Sequence, residues 1–286
     1  MGLRPIALSG AHMEVRSLAE TEPVFTDLLA FERIGEGPDS ITLKHPNTPW
    51  IMTLHEAGTA ATEKAGHNHY GVRVLTKPEI DAAHAYLNVH GDEYGLREIR
   101  EPENQHGSYS VYFVEPGTNT LEIECYEDVN RKASGAERLG GVRGPHWQSP
   151  LPAERFPGRG YVPQALTHGT LAVADPPVSH RFYSEVLGLD VHNAYGEGRV
   201  AYIKHPETKH FIVCARRDDL TVNPPSFRYT LDVASPQDLA EAHRWVSDHR
   251  AEYAINEVHD IETSGDTSSF LVRDPDMNWW EIAAPS

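Results

Sequence analysis

Cysteine is nearly missing from this 286-residue chain: Cys125 and Cys214 stand far apart, each inside an apolar, strand-like run. That excludes a disulfide framework, and buried free thiols in a reducing cytosol are the economical expectation. Positive charge is scarce too. Lys and Arg number 25 against 42 Asp and Glu, for a net charge of −17, which argues against nucleic-acid partners and anionic membranes. No apolar run approaches the ~20 residues of a membrane span, and the apolar part of Met1 to Leu8 is too short for a secretory signal. The expectation is a cytoplasmic homo-oligomer that handles small molecules. What the chain has in plenty is histidine, at seventeen, and neutral imidazole is the commonest metal ligand.

The chain repeats itself. Leu43-Lys44-His45-Pro46-Asn47-Thr48 returns as Ile203-Lys204-His205-Pro206-Glu207-Thr208, and Phe25-Thr26-Asp27-Leu28-Leu29 as Tyr183-Ser184-Glu185-Val186-Leu187. Lys77-Pro78-Glu79 is matched by Ser235-Pro236-Gln237, and Glu115-Pro116…Asn119…Leu121-Glu122-Ile123 by Asp274-Pro275…Asn278…Trp280-Glu281-Ile282. A nearly constant offset across four segments marks two homologous domains, 1–128 and 165–286. The Gly- and Pro-rich stretch 129–164 reads as a linker that packs along the surface through Trp147 and Tyr161.

Each half divides again. Strand (Gly10–Arg16), helix (Leu18–Ala30) and strands at Ile41–Leu43 and Trp50–Leu54 are followed by strand (His69–Leu75), helix (Glu79–Asn88) and strands near Glu98–Arg100, Tyr109–Val114 and Leu121–Cys125. Val24, Phe25, Leu28 and Leu29 give the helical stripe, with Ser17 and Glu20 as a capping box. Alternation gives the strands: in Leu121-Glu122-Ile123-Glu124-Cys125 both carboxylates share one face. The same parity puts His12 with Glu14 and Arg16, and His69 with Gly71 and Arg73, opposite the apolar faces. The fold class is α+β, four βαβββ units paired into two cupped sheets.

Four such units, with a Glu on the last strand after an acidic-Pro…Asn turn, resemble the vicinal oxygen chelate superfamily. The two-domain form resembles the type I extradiol ring-cleaving dioxygenases. The resemblance implies a metal held by His12, His69 and Glu122. Two imidazoles and one carboxylate suit Fe(II), and Mn(II) is accepted by the same donors. It also implies His55 as acid–base, fourteen residues before His69, Tyr112 as donor, ten before Glu122, and His106 as a supporting group. The reaction would be cleavage of a catechol-type ring by O2 beside the diol. A divalent-metal isomerase or lyase of the same superfamily, and a metal-free binding module, stay open as alternatives. In the second half, Arg228 stands at the position of His69, Ala215 at that of His55 and Leu271 at that of Tyr112. A guanidinium cannot ligate a cation, so that cup is expected to be vestigial, with Arg228 paired to Glu281 and His168 as a neutral neighbour.

Overall fold

The computed structural model describes residues 2–62, 68–105, 107–126, 147, 149–195, 198–208 and 210–286. The first pass is β1 (Ala7–Val15), α1 (Leu18–Pro23), β2 (Glu32–Gly37), β3 (Ser40–Lys44) and β4 (Ile51–Glu56). The second is β5 (His69–Arg73), α2 (Lys77–His90), β6 (Glu103–Gln105), β7 (Ser108–Val114) and β8 (Thr120–Cys125). The third is β9 (Ala165–Val173), α3 (Pro176–Arg181), β10 (Asp190–Tyr195), β11 (Val200–Lys204) and β12 (Phe211–Arg216). The fourth is β13 (Arg228–Asp232), α4 (Pro236–Asp248), β14 (Glu257–Val258), β15 (Glu262–Ser264), β16 (Thr267–Arg273) and β17 (Trp279–Pro285). This is the expected α+β class in four βαβββ-like passes, the fourth with one more short strand, its strands in two mixed sheets.

The bodies that pack are not the halves that repeat. One compact unit is Met1–Met13 with Leu171–Ser286; the other is Glu14–Thr170. The divisions fall inside β1 and β9, and strand pairing is the reason. β1 runs antiparallel to β13, with His12 opposite Arg228, while β9 runs antiparallel to β5, with His168 opposite Gly71. The partition into 1–128, 129–164 and 165–286 therefore describes the repeat and not the packed units.

In the unit 14–170, β9, β5, β8, β7 and β6 follow one another in one sheet, and β4, β3 and β2 belong to the other. β5 and β8 are parallel, β7 and β8 antiparallel, and Tyr112 faces Glu122 across the latter pair. In the second unit, β14, β16, β17, β13 and β1 form the corresponding run, with β13 and β17 parallel.

Local sequence explains the supports of these strands. α2 opens with a capping box between Thr76 and Glu79. α1 contains Pro23 and continues as a wide π turn over Val24–Leu28, since proline withholds an N–H from the α ladder. Val24, Phe25 and Leu28 are buried there, as the stripe requires. The repeated acidic-Pro…Asn turn is a hairpin clamp. Glu115 accepts from the N–H groups of Gly117 and Asn119, the Asn119 amide and the Thr21 hydroxyl. Asp274 does the same with Asp276, Asn278 and Tyr183. The first clamp sits just before β8 and so fixes the strand that carries Glu122.

Some boundaries differ from expectation. Glu98 has φ 51° and interrupts the strand; Arg97 forms an isolated bridge to Val114, and the strand forms at β6 instead. β2 is largely exposed without alternation, which hid it. In the linker, 129–146 lies outside the described residues. Its later part does pack: Tyr161 is buried and donates to the Leu28 carbonyl, and Phe156 and Val162 cluster with Ala30 and Leu151. Cys125 and Cys214 are buried thiols, and Cys125 donates to the Leu75 carbonyl. No helix among the described residues is long and apolar enough to cross a membrane.

Candidate metal centre

Three donor atoms converge in the unit 14–170. His69 projects from β5, Glu122 from β8 and His168 from β9. Nε2 of His69 lies 3.2 Å from Oε2 of Glu122, Nε2 of His168 lies 3.0 Å from the same oxygen, and the two imidazole nitrogens are 3.2 Å apart. Ligand atoms about 2.0–2.2 Å from a cation and at right angles to one another stand roughly 3 Å apart. The three donors thus form a face of the right size for an octahedral ion, and two imidazoles with one carboxylate are the donor set of a facial triad. His69, Glu122 and His168 form a possible divalent-metal site.

Parity and pairing build this face. Gly71 is the register partner of His168, and the His168 ring lies across it: a Cβ at position 71 would come within 2.0 Å of the ring's Cε1. His69 is steadied by its own N–H, which donates to the Thr170 hydroxyl at 2.8 Å. Glu122 and Glu124 share a face, as alternation requires, and both are buried. Glu124 accepts from the Arg73 guanidinium at 2.6 and 3.2 Å and from the Thr167 hydroxyl at 2.6 Å.

The electrostatics are those of a strongly polar buried nest. Burial would raise the Glu122 carboxyl, but the contacts with His168 and His69 outweigh it and hold the group well below the usual range. Burial would likewise raise Glu124, but Arg73 and His168 bring it down to about 2. His168 would be lowered by burial, yet the carboxylates of Glu124 and Glu122 raise it to about 9. A site that stabilises a cation this well is chemically fitted to a divalent ion. Tyr112, 7% exposed, sets its ring edgewise on His69 at 5.3 Å and shares a hydrogen bond with Glu122. Burial and the Glu122 charge push its pKa up, so the hydroxyl keeps its proton and serves as a donor.

The structure brings His168, and not His12, to His69 and Glu122. β1 and β9 are both nine residues long and superpose in sequence as Ala7-Leu8-Ser9-Gly10 on Ala165-Leu166-Thr167-His168. The equivalent of His168 is Gly10, and His12 lies two residues further on, at the same parity but the wrong place. His12 instead sits in the other unit, 3.1 Å from Glu281. There Glu281 accepts from Arg228 at 3.2 and 3.4 Å, from Thr230 at 3.0 Å and from Ser269 at 2.9 Å. The Arg228–Glu281 pair is as expected; its histidine neighbour is His12, and His168 belongs to the metal cluster.

His55 is the register partner of Ser40 on the β3–β4 hairpin, in the other sheet from β5 and β8. It is not in the donor cluster. His106 lies outside the described residues. Sequence reasoning missed His168 as a donor, together with Gly71, Arg73, Glu124 and Thr167 around it. Aligning the two nine-residue strands residue by residue was the signal that could have found them.

The comparisons agree with this architecture. Residues 165–282 match the family model described as the Glyoxalase/Bleomycin resistance protein/Dioxygenase superfamily. The chain is similar in structure to a candidate dioxygenase from Bacillus subtilis subsp. subtilis str. 168, with 12% identity, 99% of this chain and 86% of that one covered, and a TM-score of 0.63. It is equally similar to glyoxalase I from Zea mays, with 14% identity, 97% and 91% covered, and a TM-score of 0.64. No curated protein matches significantly in sequence. Residues 165–282 carry the match to that superfamily, and the chain as a whole has the vicinal oxygen chelate fold.

Proposed function

We propose that the chain is an Fe(II)-dependent extradiol dioxygenase that opens a catechol-type ring beside its diol, with Mn(II) as the other ion its donors accept. The observation that carries this is the donor set itself: two imidazoles and one carboxylate 3.0–3.2 Å apart, with the protonated hydroxyl of Tyr112 on Glu122. Iron held by His69, Glu122 and His168 would offer adjacent positions for the two diol oxygens and for O2, and would acidify a bound phenol. Tyr112 would donate to a substrate oxygen lying beside Glu122 and steer charge that develops there. Its edge contact with His69 holds the ring, so the donor is pre-aimed.

A second reading is a divalent-metal isomerase or lyase that works without O2. One observation favours it: His55, the acid–base group a dioxygenase is expected to use, sits on a strand of the other sheet and outside the cluster.

The two readings part in one experiment. Chelator-stripped protein is reloaded with Fe(II) under anaerobic conditions and then given air and a panel of catechols. Stoichiometric O2 uptake with a yellow ring-opened product supports the dioxygenase. Metal uptake with no O2 consumption across the panel overturns it and leaves the isomerase or lyase.

A further inference from the structure

We infer that Glu124, clamped by Arg73 and reaching His168 through Thr167, is a positioning residue that fixes which nitrogen of His168 faces the metal. The inference rests on reading His69, Glu122 and His168 as a metal centre, and extends it to the groups behind the donors.

The two nitrogens of His168 look at different carboxylates. Nε2 faces Glu122 and His69; Nδ1 faces away, 3.2 Å from the Thr167 hydroxyl and 3.4 Å from Oε1 of Glu124. Thr167 has one proton, and its shortest contact is with Oε1 of Glu124 at 2.6 Å. Donating there leaves the hydroxyl oxygen to accept from Nδ1–H. The chain Nδ1–H to Thr167 to Glu124 therefore places the ring proton on Nδ1 and leaves the Nε2 lone pair for a cation. An imidazole has one proton to place, and the partner of the outer nitrogen decides where it goes.

The carboxylate at the end of this chain is itself immobilised. Arg73 binds Oε1 through two nitrogens, and Tyr126 covers the guanidinium at 4.6 Å. All of these groups are buried. Gly71 completes the device by letting the His168 ring lie flat against the strand. The other unit differs at four of these positions together. Where this unit has His168, Gly71, Arg73 and Glu124, it has Gly10, Thr230, Asp232 and Ala283 in the equivalent register. The cup that lacks the histidine donor also lacks the glycine, the arginine and the second carboxylate behind it, and keeps the hydroxyl as Ser9.

The test is Mn(II) titration of the chelator-stripped full chain, with free Mn(II) counted by electron paramagnetic resonance. Glu124→Gln removes the charge but keeps the shape, and is expected to weaken Mn(II) binding by ~10–100-fold, the usual scale for the support of a metal-bound histidine. Thr167→Val interrupts the relay without touching a charge, and should weaken binding several-fold even if Glu124→Gln folds poorly. In both, nitrogen-detected NMR of the protein loaded with diamagnetic Zn(II) should show the His168 Nδ1–H signal weakened or lost to exchange with water. Parent-like Mn(II) affinity in Thr167→Val and in folded Glu124→Gln, with His69→Ala losing Mn(II), overturns the positioning role alone. If His69→Ala and Glu122→Ala also bind like the parent, the metal centre itself is wrong.

Discussion

The chain builds the same strand arrangement twice and puts opposite chemistry in it. In the unit 14–170, one carboxylate, Glu122, meets two imidazoles whose nitrogens converge without filling the space between them. In the other unit the equivalent carboxylate, Glu281, takes five hydrogen-bond contacts, two of them from the guanidinium of Arg228. Along each side chain, Nε of Arg228 is as many bonds from Cβ as Nε2 of His69, and both lie 3.2 Å from the carboxylate oxygen. The fixed cation of Arg228 thus stands where an imidazole would present a lone pair. Burial would raise the Glu281 carboxyl, but His12 and Arg228 hold it well below the usual range. One cup is open to a cation and the other carries its own.

The largest effect that can break this comparison is loss of the metal. His69→Ala, Glu122→Ala or His168→Ala should each abolish stoichiometric binding, whereas His12→Ala should leave it intact. Iron analysis after gel filtration decides it: a fall in iron with His12→Ala and none with His168→Ala would invert the assignment. Next in size is Tyr112→Phe. It should keep the metal and lower turnover by roughly 10-fold or more, since one aimed donor is lost. His55→Phe, on the other sheet, should leave metal content unchanged, and a large fall in turnover would return an acid–base role to it.

How much of this was legible in the sequence follows from the same contrast. The four passes, the strand parity of His69 and Glu122 and the pairing of Arg228 with Glu281 could be read because they depend on local period and on a repeat with a steady offset. The partner of β1 could not. Parity says which face a residue takes, but only pairing says what lies opposite, and one edge of β1 pairs with β13, a strand of the other half. That long-range choice set His12 beside Glu281 and His168 beside His69 and Glu122. The histidine count misled for a local reason. His45 and His205, in the two Lys-His-Pro turns, each accept from a backbone N–H at Nδ1 and face a carbonyl with Nε2. They brace turns.

Arg228 offers a smaller and sharper test. Arg228→Ala leaves Glu281 with His12, Thr230 and Ser269 only. The group is 13% exposed, so the cost should fall below that of a fully buried broken pair, at about 1–3 kcal/mol. Arg228→His should do something different: with His12 and Glu281 it offers three donors, and metal content should rise above one equivalent, with the second bound more weakly. Denaturant melts and metal counts on the two variants separate a plug from a merely exposed arginine, for which neither number would move.

The smallest effect concerns acid, and each unit supplies one probe. His45 in one unit and His210 in the other are buried, and burial lowers both to about 4; the carbonyls of Pro163 and Leu8 oppose the shift without cancelling it. An unfolded histidine titrates near 6.5. Between about pH 6.5 and 4 the unfolded chain therefore binds more protons than the folded one, and unfolding free energy falls as pH falls through that window. Above 6.5 these two groups contribute no slope. Each ring should account for about 3 kcal/mol across the full window. His45→Gln should remove one share and His210→Gln the other, on top of any loss of packing that is the same at every pH. Urea unfolding at intervals between pH 4 and 7 reads the slopes directly. Equal reductions would show that both units bury a neutral ring to the same end; an unchanged slope in either variant would mean that its histidine is already charged in the folded chain.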